Sequence, residues 1–289
     1  VRLDPGSAVR EAEIFVGADV QGGRRGERAE AWVRSASAVE RAWLSADRVR
    51  EEEVLAFDHD SASVRGTRRT CYEDLVLDEV TIRAPRGEAV ERVLAEAAAE
   101  DLPGALPLDD EGVAALRTRA ACLARWRPEL DLPDLGDDAL RALLPHLVRG
   151  KRSFAELQKV PLLDHLLGLF TWEQRQTLDR EAPERLEVPS GSRVRLRYEL
   201  GRPPVLAARI QEVFGLRETP RVAGGRVKVL MHLLAPNHRP QQITDDMPSF
   251  WKNTYAGVRA ELRRRYPKHA WPEDPFTATA ERRPRRRGR

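Results

Sequence analysis

The residues best placed to do chemistry are arginines. In "RVRLRYEL" Arg193, Arg195 and Arg197 alternate with Val194, Leu196 and Tyr198, the period of a β-strand. An extended chain sets such guanidinium groups on one face about 7 Å apart, comparable with successive phosphates of a polynucleotide. Downstream, Lys252, Arg259 and Arg263 recur at i, i+7 and i+11 of a helical pattern whose other stripe is Trp251, Tyr255, Val258 and Leu262. The apolar stripe reads as core and the basic one as a phosphate-facing or solvated face. Arg239, Lys268 and His269 complete the candidate nucleic-acid contacts. The final "ERRPRRRGR" holds six arginines in nine residues and reads as a disordered, polyanion-attracting tail over 276–289.

Covalent and hydrolytic chemistry find no such support. There is no G-x-x-x-x-G-K-[ST] loop; Gly150-Lys151 is followed by Arg152 and lacks the preceding glycine, so it cannot cradle phosphates. Neither D-E-x-H nor D-E-x-D occurs, and Asp78-Glu79-Val80 lies in a strand-like run. His59-Asp60 has no accompanying His and Asp on facing helices, and Asp60 in a turn is expected to make a local backbone bond. No G-x-S-x-G elbow or H-E-x-x-H spacing appears. Cys71 and Cys122 form neither a disulfide framework nor a zinc site, and are expected to be reduced, buried thiols in a cytoplasmic protein. No catalytic residue, cofactor or metal is therefore assigned to this chain.

Its 289 residues suffice for two or three domains, each with a core. No apolar run approaches the ~18 residues of a membrane span. Val1 is not an initiator methionine, nor does a signal-like segment follow it, so we expect a chain cut from something longer. The net charge of +3 is divided into −3 over residues 1–87, −7 over 88–187 and +13 over 188–289. Such asymmetry points the last third toward an acidic partner, nucleic acid first, with an anionic membrane surface or acidic protein as alternatives. Docking of the basic third on the acidic middle is the intramolecular alternative.

Three blocks must position these groups, giving an α+β chain. Residues 1–86 read as a small β-barrel or curled sheet, its first strand clipped at Val1: "EIFVGADV" and "ERAEAWV" flank the turn "QGGRRG", and "VLAFD" and "SVRGTRRTCYEDLVLDEVTIR" flank "DHDSAS". Residues 87–187 read as helical. They comprise Glu88–Glu100, then Gly112–Trp126 with Val113, Leu116, Ala120 and Leu123 inward, then a helix capped by Asp137 and Asp138. Capping boxes follow at Ser153/Glu156 and Thr171/Gln174. Residues 188–275 read as a basic α/β domain: strands at "RVRLRYEL", "PVLAARI", "GGRVKVLMHLLAP" and "RPQQIT", then a helix from Asp245 or Asp246 to Tyr266.

Four segments carry a longer signature: "VPSG" at 188–191, "LLAP-x-x-RP" at 233–240, "SFW-x-x-TY" at 249–255 and "RYPKH-x-WPEDP" at 265–275. Together they resemble the C-terminal region of HrpB-type bacterial ATP-dependent helicases, relatives of the DEAH-box RNA helicases. The likeness is dense from about Leu178 to Pro275 and looser toward the N-terminus. It implies that residues 1–86 correspond to the oligonucleotide-binding region and residues 87–289 to the C-terminal extension. It also implies two motor domains, with ATP and magnesium, elsewhere in the parent enzyme.

The expected function is an accessory, RNA-binding region of such a helicase, taking single-stranded RNA and meeting the parent's motor domains. The alternative is an interaction or interdomain docking scaffold. Prolines 267, 272 and 275 fix backbone φ, so "PKHAWPEDP" is expected to lie back over the domain as a strap anchored by Trp271.

Overall fold

The computed structural model describes residues 2–3, 6–21 and 32–282. The chain divides into two compact units, Val1–Val93 and Leu94–Arg289. The division falls inside α1 (Glu88–Glu100). The turn at 21–26, apart from Gln21, and the arginines of 283–289 lie outside the described residues.

The first unit has two antiparallel cores. Strands β2 (Ile14–Gln21) and β3 (Trp32–Val39) pair antiparallel, and the short β1 (Arg2–Leu3) joins β3 in parallel. Strands β4 (Val49–Asp58), β5 (Ser63–Tyr72) and β6 (Leu75–Ile82) form a second sheet in sequence order. The expected barrel is not found: among the described residues no ladder joins the two three-stranded sheets. A barrel needs a continuous hydrogen-bonded stagger, whereas here Arg41 spans the strands through its side chain, bonding Glu13, Asp78 and the Leu77 carbonyl (3.1 Å). Opposite charges sit directly across the β4–β5 ladder, with Glu53 facing Arg68 at 2.9 Å, which helps fix its register. The turn between them is closed by Asp58, not Asp60. Its carboxylate accepts from the Asp60 amide (3.2 Å) and the Ser61 hydroxyl (2.6 Å), whereas the Ala62 amide, which an Asp60 side chain would engage, donates to the His59 carbonyl (3.4 Å).

In the second unit, α2 (Leu102–Ala105), α3 (Glu111–Trp126), α4 (Asp137–Leu147), α5 (Phe154–Leu157), α6 (Leu162–Leu167) and α7 (Trp172–Glu181) build the helical part. Val113, Leu116, Ala120 and Leu123 are buried, as their spacing predicts. The cap of α4 is Gly136, not Asp137 or Asp138; those two occupy its first turn, where the helix dipole favours them. Ser153 caps α5 (3.3 Å to the Glu156 amide), while the Glu156 carboxylate reaches back to the Arg152 amide (2.7 Å). Thr171 and Gln174 make the full reciprocal box at 3.2 and 2.9 Å.

Five of the remaining strands form one sheet. They are β7 (Arg185–Glu187), β8 (Arg193–Arg197), β9 (Val205–Arg209), β12 (Leu230–Leu234) and β13 (Pro240–Thr244), ordered β13-β12-β9-β8-β7. Only β9 and β12 run parallel, and the crossover between them carries the small β10–β11 hairpin (Arg221–Val222, Val227–Lys228). Gly224 at that turn has φ +63°, where a side chain is strained, and a Cβ there would stand 2.3 Å from the Arg127 guanidinium and displace it. The terminal helix begins with α8 (Met247–Ser249), capped by Asp246, widens to a π turn over Phe250–Thr254, and continues as α9 (Tyr255–Arg265) with Tyr266 as its cap.

Candidate nucleic-acid interface

Strands β7 and β8 concentrate cationic groups on one face. Arg193, Arg195 and Arg197 are exposed while Leu196 is buried, so the alternation read from sequence holds. The register adds a residue that the sequence reading missed. Arg185 stands directly opposite Arg195 across the antiparallel ladder, and Glu187 opposite Arg193. Its exposed guanidinium reaches the Arg193 carbonyl at 3.3 Å. Like charges facing each other destabilise a sheet pair. The signal was available in the period-2 pair Arg185/Glu187 flanking "VPSGS", but only the register shows which arginine it meets.

The turn joining these strands is pinned by Glu212, just beyond β9. Ser190 donates its amide to the Glu212 carbonyl (3.1 Å) and Ser192 its hydroxyl to the Glu212 carboxylate (2.8 Å). Arg209 donates to the same carboxylate at 3.1 Å. Burial works against ionisation of Glu212, but Arg209 and Ser192 outweigh it and hold its carboxyl below the usual carboxylate range.

A groove of about 700 Å³ runs between α3 and β8, with Glu111, Thr118, Arg195, Arg197 and Tyr198 in its walls. Arg195 is ion-paired with Glu111 at the first turn of α3. Arg193 and Arg197 make no ion pair among the described residues. The groove's inner wall is fixed by Arg119, which is only 5% exposed. It donates to the Ala182 carbonyl (2.9 Å), Asp179 (2.8 Å) and Glu184 (2.7 Å). This one guanidinium ties α3 to α7 and to the residue just before β7.

The other candidates do not join this cluster. Arg239 precedes β13, separated from β8 by β12 and β9, roughly 14 Å at normal strand spacing. Lys252, Arg263 and Lys268 are exposed without an ion pair among the described residues, and Lys252 and Arg263 lie about 16 Å apart along their helix. Arg259 has a structural partner: it donates to the Trp271 carbonyl (2.9 Å) and to Glu273 (3.0 Å). His269 is half-buried against Tyr266, and burial, aided by Arg209, pushes its imidazole below the ordinary value.

The strap lies on the domain as expected. Trp271 is 8% exposed and donates its indole N–H to the Tyr266 carbonyl (2.9 Å). Tyr255 donates its hydroxyl to the Pro272 carbonyl, and Gly215 its amide to the Pro275 carbonyl, both at 2.9 Å. Residues 276–282, assigned from sequence to the tail, also make contacts. Phe276 packs on Trp251 (ring centroids 6.2 Å), and the Glu281 amide donates to the Gln211 carbonyl (3.0 Å).

The acidic helical part and the turn of the β10–β11 hairpin are joined at Glu129, whose carboxylate receives Arg127 (2.7 Å) and Arg226 (2.5 Å). Its own backbone N–H, then Arg127 and Arg226, lower its pKa to about 2. A depressed carboxylate stabilises the fold above its unfolded pKa, and the contribution is lost as pH falls through about 2. A carboxyl-detected NMR titration should place the Glu129 midpoint near that value and show it rising in Arg226→Ala; a midpoint near the model-peptide value of ~4.3 would contradict the bridge.

Residues 143–275 match the family described as ATP-dependent helicase C-terminal. The chain is similar to the C-terminal region of HrpB-type ATP-dependent helicases. It is 44% identical over 173 residues to the ATP-dependent RNA helicase HrpB of Escherichia coli (strain K12), a match covering 58% of this chain and 21% of that protein. Two crystal structures of E. coli HrpB are also similar. One, described as a DExH-box NTPase, has a TM-score of 0.68 and 31% identity over 97% of this chain and 35% of its own. The other, described as a DEAH/RHA helicase, has a TM-score of 0.58 and 30% identity over 93% of this chain and 34% of its own. The chain thus spans about a third of those crystallised chains. Among the described residues no helix is long and apolar enough to cross a membrane.

Proposed function

We propose that this region is an accessory nucleic-acid-binding part of an ATP-dependent helicase, holding single-stranded RNA for motor domains that use ATP and magnesium. The observation that carries this reading is the arginine face of β7–β8: among the described residues Arg185, Arg193, Arg195 and Arg197 form one ion pair, Arg195 with Glu111, and Glu187 stands opposite Arg193 in the ladder. The mechanism is electrostatic capture: guanidinium groups displace counterions from the phosphate backbone, in the domain where the chain's positive charge is concentrated. An oligonucleotide-binding role for residues 1–86 belongs to the same proposal. It is supported by the β-rich first unit and by its resemblance to the crystallised helicases.

A salt titration of the 289-residue chain with single-stranded RNA tests it. Neutralising about five phosphates gives a log–log slope near −3.5. Binding no tighter than that of an unrelated protein of equal charge counts against the proposal. A second reading, interdomain docking, is favoured by the Arg195–Glu111 and Arg226–Glu129 bridges from the helical part to β8 and to the turn of the β10–β11 hairpin. On that reading Arg193→Ala with Arg195→Ala leaves RNA affinity intact and loosens the domain instead.

A further inference from the structure

Glu111 lies in the first turn of α3, where the helix dipole favours its charge, but it is not the cap of that helix. The cap of α3 is Asp110, whose carboxylate already accepts from the Gly112 (2.9 Å) and Val113 (3.0 Å) amides. Glu111 instead extends to Arg195, and both side chains are substantially exposed. Exposed pairs of this kind contribute little and exchange readily with competing anions. Arg195 itself is in excess positive surroundings, opposite Arg185 and two residues from the unpaired Arg197. The groove beside it has the volume of a small-ligand site, and its floor is kept open by Ala114 and Ala115 of α3 and Ala207 of β9. Of its other carboxylates, Glu184 is held by Arg119, and Asp109 precedes the α3 cap.

We propose that this groove seats one phosphate-bearing nucleotide of a single strand, and that Glu111 is an internal competitor which the phosphate displaces from Arg195. The proposal rests on the nucleic-acid reading above and deepens it. The phosphodiester of a strand presents two anionic oxygens, as a carboxylate does, and bonds a guanidinium in the same bidentate manner. The exchange therefore leaves Arg195 satisfied and releases Glu111 to water. Glu111 thereby sets the affinity of the β8 face without touching the ligand.

The test is fluorescence anisotropy of a labelled oligouridylate of about 12 nucleotides with the 289-residue chain at fixed low salt. Glu111→Gln should bind about 2–5-fold tighter than wild type, the range released when an exposed ion pair is removed. Glu111→Ala should do the same, which separates charge from the amide's own hydrogen bonds. In the Arg195→Ala background Glu111→Gln should bring no gain. Unchanged affinity, or an equal gain with Arg195 absent, overturns the competitor role while the nucleic-acid reading stands. Failure of the wild-type chain to bind the oligonucleotide overturns both.

Discussion

Trp271→Ala is expected to destabilise the second unit by about 3–5 kcal/mol, the cost of emptying a buried aromatic site. The indole is 8% exposed and its N–H is bonded to the Tyr266 carbonyl, so truncation removes both packing and a hydrogen bond at the helix end. More follows, because the Trp271 carbonyl accepts from Arg259 and the next residue's carbonyl from Tyr255. The tryptophan therefore fixes the start of a strap that ends against Gly215 and Phe276. Chemical unfolding, followed by a probe in the C-terminal sheet, measures the loss. A change below about 1 kcal/mol would mean an exposed ring and a loose strap.

Arg119→Ala should cost about 1–3 kcal/mol, through a different mechanism. Its partners Asp179 and Glu184 are exposed and will be solvated when the guanidinium leaves, so the full penalty of a stranded buried charge does not apply. The cost falls on the buried Ala182, whose carbonyl loses its Arg119 donor. Arg119→Lys should recover little, because one ammonium cannot reach three acceptors arranged for a fork. Thermal unfolding of the two variants decides this. Equal stability of Arg119→Lys and wild type would contradict the clasp.

These two residues also show what the sequence made legible. Trp271 stood out because prolines on both sides announce an ordered, non-helical strap, and aromatic burial follows from area. The helical stripe of Trp251, Tyr255, Val258 and Leu262 was equally plain; three of the four are buried and Val258 is half-buried. Arg119 was invisible: a charged residue beside Ala120 reads as solvent-facing, and only tertiary structure brings the Ala182 carbonyl and two carboxylates to it. Arg259 misled for the converse reason. Its spacing with Lys252 and Arg263 suggested a phosphate stripe, but the strap returns Glu273 to it. Arg185 required the β7–β8 register, which a three-residue strand does not advertise. In unit one, period-2 patterning gave the strands of β4–β6 but could not say how the sheets join, since closure depends on stagger between distant segments. The family motifs found their meaning in packing. "VPSG" is the turn pinned by Glu212, "SFW-x-x-TY" the aromatic π turn, and "RYPKH-x-WPEDP" the strap.

The central claim is that the β7–β8 arginines hold phosphate. It is tested most directly by the salt dependence of single-stranded RNA affinity for the variant carrying Arg185→Ala, Arg193→Ala, Arg195→Ala and Arg197→Ala, beside wild type. Losing four contacts should flatten the log–log slope by about 2.8 and weaken binding at every salt concentration. A variant that keeps both the slope and the affinity of wild type would place the phosphates elsewhere and contradict the account.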